Sequence, residues 1–208
     1  FTFIFEQTTL SIDYRLSGRQ QGNQLVYLRF TNAAAGIWTI HVYPQSIVTG
    51  NYNMWLPMRQ FTSGNVFFLR SNPEHTITVP GNAAQVISVG GYQITNGSLY
   101  LDSGRGYTLS GEVKPELCAP AVRIFGPGLH NTYVTRTGTS AAAAITAGAC
   151  AQIMQWGFVK KNQIFMSSAD IKNMLIRGAK RADDRIYPNS SWGYGILDVY
   201  QAFENLRK

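Results

Sequence analysis

Charge is scarce in this chain. Of its 208 residues, 14% are Asp, Glu, Lys or Arg and 45% are hydrophobic. That balance argues against disorder and for a globular protein with a sizeable core. Cysteine is scarcer: Cys118 and Cys150 lie in apolar surroundings, with no CxxC partner and no metal-type spacing. Free buried thiols are expected there, and a disulfide stays open. No apolar run approaches the roughly 18 residues of a membrane span. A basic leader followed by an apolar block is missing too; the opening FTFIFEQTTLSIDYRL alternates instead. Beginning mid-pattern and without Met, the chain reads as a fragment or a processed product. It has no glycine-rich phosphate loop, no metal-ligand cluster and no acidic cluster suited to calcium, so no cofactor or metal is expected.

The net charge is +7, and the 18 basic residues are spread along the chain. They form no stripe interleaved with aromatics. A solvated basic surface is expected, with neither nucleic acid nor membrane as a partner.

Residues 1–72 read as part of an antiparallel β-sandwich. Leu10, Ile12, Tyr14 and Leu16 fall on one face of a strand, with Asp13 and Arg15 on the other. The segments Leu25–Phe30, Gly36–Pro44, Asn53–Pro57 and Val66–Leu69 continue as short strands separated by Gly, Asn and Pro. From about residue 73 the pattern becomes α/β. Gln85–Tyr92 is a continuous apolar strand, as buried parallel strands are. Helices are expected from Ser140 to about Trp156, over Ser168–Arg181 with Ser168 as cap and Ile171, Met174 and Leu175 as apolar stripe, and over ILDVYQAFENL.

The segment RTGTSAAAAITAGACAQ, residues 136–152, carries the sharpest signal. In a purely structural reading, Ser140 caps a helix that is small and apolar on every side and therefore buried. Gly148 in its interior then marks a close approach by another element. In a functional reading, a serine at a helix N-terminus sits among unpaired N–H groups at the positive end of the helix dipole. Those donors suit an oxyanion forming beside the hydroxyl. Nucleophilic serine also needs a histidine base and a carboxylate to orient it.

The surrounding motifs resemble those of the subtilase family of serine peptidases. GTSAAAAITAG resembles the family's serine motif, with Gly148 eight residues after Ser140. GEVKPELCAP resembles its Lys-Pro…Ala-Pro-Gly segment, with Pro120 twenty residues before Ser140. TITVPGNAAQVISVGGY and WGYGILDVYQAF resemble its pocket loop with the following strand and its closing segment. The resemblance covers about residues 76–206. It implies a subtilisin-like α/β domain, Ser140 as nucleophile, and endopeptidase chemistry through an acyl-enzyme. It also implies that Pro80 and Gly81 lie at the floor of the primary specificity pocket, and that Gly138 and Thr139 line the cleft. The sandwich upstream and the ending of the chain are similar to the Csp-type subtilases of spore-forming clostridia. That implies an inserted jelly roll over residues 1–72 and a secreted or spore-associated protein.

The chain departs from the family at Ala141, usually Met, at Ala144, usually Pro, and at Ala121, usually Gly. With no methionine beside the nucleophile, activity is expected to survive peroxide; an immediate loss on peroxide treatment would refute this.

Asp13, Asp102, His41, His75 and His130 precede Ser140, and none sits in the family's Asp or His setting. The base, its carboxylate and the oxyanion Asn are therefore expected from an upstream segment of the same precursor, which is the expected partner alongside a protein or peptide substrate. Two rivals remain. One is a pseudoprotease acting as sensor or scaffold. The other is a binding module in which Trp38, Tyr52 and Trp55 form a stacking surface on the sandwich.

Overall fold

The computed structural model describes residues 1–16, 24–46, 50–57, 61–62 and 66–206. The chain forms two compact units, Phe1–Thr62 and Ser63–Lys208, dividing some ten residues before the sequence pattern changes.

In the first unit, β1 (Thr2–Phe5), β2 (Thr8–Leu16) and β3 (Gln24–Thr31) form an antiparallel sheet in that order. Register puts Phe3 opposite Leu10, Leu10 opposite Phe30, Ile12 opposite Leu28 and Tyr14 opposite Val26. The alternation thus gathers one apolar face, including Leu10, Ile12 and Tyr14 as the pattern predicts. Trp38 packs on it edge-on, 5.2 Å from Phe30 and 6.2 Å from Phe5 between ring centroids. Buried Thr8 fixes the exit from β3: its hydroxyl donates to Asn32 O and accepts from the Ala34 N–H.

The turn-rich stretch 17–23 lies outside the described residues. Gly36–Pro44, Asn53–Pro57 and Val66–Leu69 are not strands. Alternation makes a segment able to pair, but a ladder needs a second strand beside it. Among the described residues none pairs with these three, and Ile37, Val42, Tyr43 and Phe67 are exposed. The described strands of this unit form one sheet.

In the second unit, β4 (Val89–Tyr92) and β5 (Leu117–Pro120) run parallel, with Val89 opposite Leu117 and Tyr92 opposite Pro120. A hairpin, β6 (Ile124–Pro127) and β7 (Tyr133–Arg136), separates β5 from helix α1 (Thr139–Met154). The strand predicted over Gln85–Tyr92 begins only at Val89. The register places Pro115, which has no N–H, opposite Ile87, and side chains bond the groups before β4 instead: Lys172 and Lys114 bond the Ala84 and Val86 carbonyls, and Glu116 takes the Ser88 N–H.

Helix α1 ends in a π-helical turn, Gln155–Val159. Together, Thr139–Val159 is long and apolar enough to cross a membrane, with a mean hydropathy of 1.2, contrary to the expectation from apolar runs. One face of α1 nevertheless packs on the domain. Ala142, Thr146, Ala149 and Ile153 are buried at helical spacing.

Helix α2 (Ser168–Gly178) buries Ile171, Met174 and Leu175, as the apolar stripe predicts. Its cap is Ser167, one residue earlier than predicted. The Ser167 hydroxyl accepts from the Asp170 N–H at 3.2 Å, and the Asp170 carboxylate accepts from the Ser167 N–H at 2.7 Å. Only this register allows the reciprocal pair of a capping box. Helix α3 (Val199–Glu204) is capped by Asp198, whose carboxylate accepts from the Gln201 N–H. Leu117, Ile153, Met166 and Leu175 form the core between β5 and the helices.

Candidate active site

The site is built where β5 ends and α1 begins. Ala121 follows β5; its N–H donates to Tyr92 O at 2.9 Å and its carbonyl accepts from the Gly138 N–H at 2.8 Å. The Arg123 N–H donates to Thr137 Oγ1 at 2.9 Å. These bonds close the β6–β7 hairpin at its base, so residues 122–137 leave and return to one point. The start of α1 is thereby held against the end of the parallel pair.

Gly138 turns the chain into the helix with φ 145° and ψ 160°, a backbone conformation that residues with a Cβ avoid. It is the N-cap and, having no side chain, makes no side-chain cap bond. Ser140 is the second residue inside the helix. The structural reading of Ser140 as the cap is therefore corrected: the cap is two residues earlier. Ser140 is exposed, and its hydroxyl has no hydrogen-bond partner among the described residues. The Ala141 N–H is engaged with Gly138 O, whereas the Thr139 and Ser140 N–H groups have no acceptor among the described residues. No acidic side chain occupies the first turn. An exposed hydroxyl beside free amide donors at a helix N-terminus can attack a carbonyl and hold the resulting oxyanion.

Two further readings of this helix are corrected. It is not buried on every side: Ala143, Ala144, Ala147 and Gly148 are exposed. Among the described residues nothing approaches Gly148, around which a Cβ would find no atom within 4 Å. A sequence of alanines is equally apolar on all faces, so only tertiary contacts determine which face is covered.

Pro80 and Gly81 lie in the loop leading to β4. The Ala83 N–H donates to Pro80 O at 3.0 Å. A Cβ at Gly81 would stand 3.1 Å from Thr78 O and 3.3 Å from Ser88 Oγ, so the backbone passes close to its neighbours there. The structure brings Gly138 and Thr139 to Ser140 through α1. It links Pro80 and Gly81 to β4 through Ser88.

No base is assembled from this chain's own histidines. His41 stacks on Tyr43 at 6.2 Å in the first unit. His75 Nδ1 lies 2.6 Å from Tyr107 O, and His130 occupies the exposed β6–β7 turn at φ 55°. Neither His75 nor His130 hydrogen-bonds Ser140. Asp102 accepts from the Tyr100 hydroxyl at 3.0 Å, and Asp13 pairs with Arg15 at 2.8 Å.

Both cysteines are free thiols; Cys118 is buried, while Cys150 is only partly covered. Burial pushes the Cys118 thiol up to about 12, and burial raises Cys150 as well. Cys118 is thus a packing residue whose thiolate is inaccessible at neutral pH.

A family model for subtilases matches residues 46–195. The chain belongs to the subtilase family. This subtilase is 34% identical over 141 residues to serine protease AprX of Bacillus subtilis (strain 168), covering 56% of this chain and 30% of AprX. Its fold superposes on the CspB protease of Clostridium perfringens with a TM-score of 0.81 and 26% identity, over 100% of this chain and 45% of CspB. It also resembles the patellamide maturation protease PatA in fold, with a TM-score of 0.54 and 23% identity, over 65% of this chain and 48% of PatA. The subtilase described here thus spans less than half the length of each of these relatives.

Ala121 stands where subtilases usually have glycine, and the structure shows what accompanies it. Gly91 of β4 faces it so closely that a Cβ there would lie 2.5 Å from the Ala121 Cβ. Gly91→Ala is expected to destabilise the domain by about 1–3 kcal/mol through overpacking. Ala121→Gly in the same chain should recover most of that loss. Additive effects in a double-mutant cycle by denaturant unfolding would show that the two sites are not coupled.

Sequence reasoning missed one buried constellation, Lys114, Glu116 and Lys172. Lys114 is 1% and Glu116 4% exposed. The only signal was two charged residues inside the otherwise apolar run leading into LCAP.

Proposed function

We propose that this chain is the nucleophile-bearing part of a subtilisin-like serine endopeptidase that cleaves protein substrates through an acyl-enzyme on Ser140. The observation that carries the reading is the exposed Ser140 hydroxyl, engaged in no cap and placed beside free N–H donors at the start of α1. A histidine from an upstream segment of the same precursor removes the hydroxyl proton as Ser140 Oγ attacks the scissile carbonyl. The tetrahedral oxyanion is held by the Ser140 N–H and by an Asn side chain of that segment. Collapse expels the amine, protonated by the same histidine, and leaves an ester on Ser140. Water, activated by the histidine, then releases the acid and restores the serine.

The exposed Ala143, Ala144, Ala147 and Gly148 support the upstream segment as partner, since they present an apolar helix face that the described residues leave uncovered. Pro80 and Gly81 form the floor of the pocket for the residue before the scissile bond. Gly138 and Thr139 line the cleft beside it. Residues 1–72 belong to a jelly roll inserted into the peptidase domain, a reading supported by the single-faced antiparallel sheet. Within it Trp38 serves as packing. Its ring contacts are with Phe5 and Phe30, and its indole N–H donates to Ala34 O.

Intact mass under denaturing conditions, before and after a fluorophosphonate probe, tests the reading on the protein as isolated with its upstream segment. A single adduct on this chain, absent in Ser140→Ala, is expected, together with a polypeptide supplying His and Asp. No adduct with that segment present would favour a pseudoprotease.

A further inference from the structure

We propose that Glu116, held between Lys114 and Lys172, is a positioning residue that fixes the substrate-binding loop 80–88. This rests on the peptidase reading above and deepens it. Glu116 Oε1 accepts from Lys114 Nζ at 2.5 Å and from Lys172 Nζ at 2.9 Å. Glu116 Oε2 accepts from the Ser88 N–H at 2.7 Å. Each ammonium also donates to a carbonyl of the same loop: Lys114 to Val86 O at 2.8 Å, and Lys172 to Ala84 O at 2.7 Å.

Two cations around one buried carboxylate are a poor way to join β5 to α2. Apolar side chains would fill that contact without desolvating three charges. The direction of the remaining bonds explains the arrangement. Every side-chain hydrogen bond these three residues make outside the triad goes to residues 84–88. The β4–β5 register places Pro115, which has no N–H, opposite Ile87, so the backbone ladder stops there and side chains take over. The triad therefore ties down a loop that has no ladder to hold it.

Ser88 joins the clamp to the proposed pocket. Its N–H is bonded to Glu116, and its Oγ lies 3.3 Å from where a Cβ at Gly81 would be. Displacement of Ser88 moves the ground on which Gly81 rests. Glu116 does not touch substrate in this scheme. It acts on substrate binding through the loop, and it has no part in activating Ser140, which lies beyond the other end of β5.

That separation gives the test, made on the protein carrying its upstream segment. Lys172→Met removes one arm and leaves Lys114 and Glu116 paired, so it is the variant expected to fold. KM for a peptide substrate should rise about tenfold with kcat changed by less than about threefold. Labelling of Ser140 by a small dialkyl fluorophosphonate, which does not need the pocket, should stay within about twofold of wild type. Hydrogen exchange at the Ser88 amide should speed up while α2 amides keep their protection. Lys172→Arg, which retains the cation, should bring KM most of the way back.

Equal losses in labelling and peptide hydrolysis, with α2 deprotected, would overturn the proposal in favour of a purely structural ion cluster. Unchanged KM and unchanged exchange at Ser88 would overturn it as well. A wild-type protein that does not label at all would sink the peptidase reading and the substrate role with it. Exchange at Ser88 would then still decide whether the triad holds the loop.

Discussion

Ser140→Ala is expected to lower peptide hydrolysis on the order of 10⁶-fold, the scale known for removal of the serine in subtilisin itself, and to leave the fold intact. The size of the effect follows from what the side chain does. In the proposed reaction Ser140 Oγ forms the bond to substrate, and no other hydroxyl at the helix start can replace it. Thr139 is one position earlier on a 3.6-residue turn and so points about 100° away. Stability should change by less than about 0.5 kcal/mol, because the residue is exposed and alanine is the better helix former. A hydroxyl serving as N-cap would behave in the opposite way, costing about 1 kcal/mol of stability and nothing in catalysis. Thermal unfolding and kcat/KM measured on the same preparation separate the two. A variant that keeps full activity would end the case for Ser140 as nucleophile.

Glu116→Ala is expected to destabilise the second unit by about 3–5 kcal/mol, the usual loss when one partner of a buried ion pair is removed. The side chain is nearly buried and faces two ammonium groups. Its loss leaves Lys114, itself buried, with only a carbonyl to hold its charge, and frees the Ser88 N–H. Most of the effect is the desolvation of charge left without a counter-ion, so it depends on the charge and not on the volume lost. The combined variant Lys114→Met, Glu116→Leu, Lys172→Met should therefore recover much of the stability that Glu116→Ala loses. Urea unfolding of the wild type and the two variants checks this. A Glu116→Ala loss of about 1 kcal/mol or less would show that the lysines reach water and that the cluster is not a buried one.

The motifs around Ser140 were legible because each depends on local backbone requirements. Gly138 needs a positive φ, Ser140 needs a helix start directly after it, and Pro120 and Gly148 stand at fixed chain separations from it. Such requirements are written in consecutive residues. The faces of β2 were legible for the same reason, since alternation assigns every side chain to a face before a partner strand is known, whereas the register with β1 and β3 came from the fold. The strands read over Gly36–Pro44, Asn53–Pro57 and Val66–Leu69 failed on what alternation omits, a neighbour to bond with.

By itself, then, the sequence determined the family and the apolar stripe of α2, and it singled out Ser140 as the residue to test. Tertiary structure alone decided the rest. It chose Gly138 over Ser140 as cap and Ser167 over Ser168, because a cap depends on which N–H groups are left unpaired. Covering Ala142 and exposing Ala143 was also its choice, because an alanine helix has no face of its own. Ala121 was set against Gly91, thirty residues away in the chain. Lys172 was brought to Lys114 and Glu116, more than fifty residues earlier in the chain, and the bonds the three make tie down residues 84–88. Local chemistry is periodic and can be read along the chain; charge pairing and steric fit act through space and become visible only when the chain is folded.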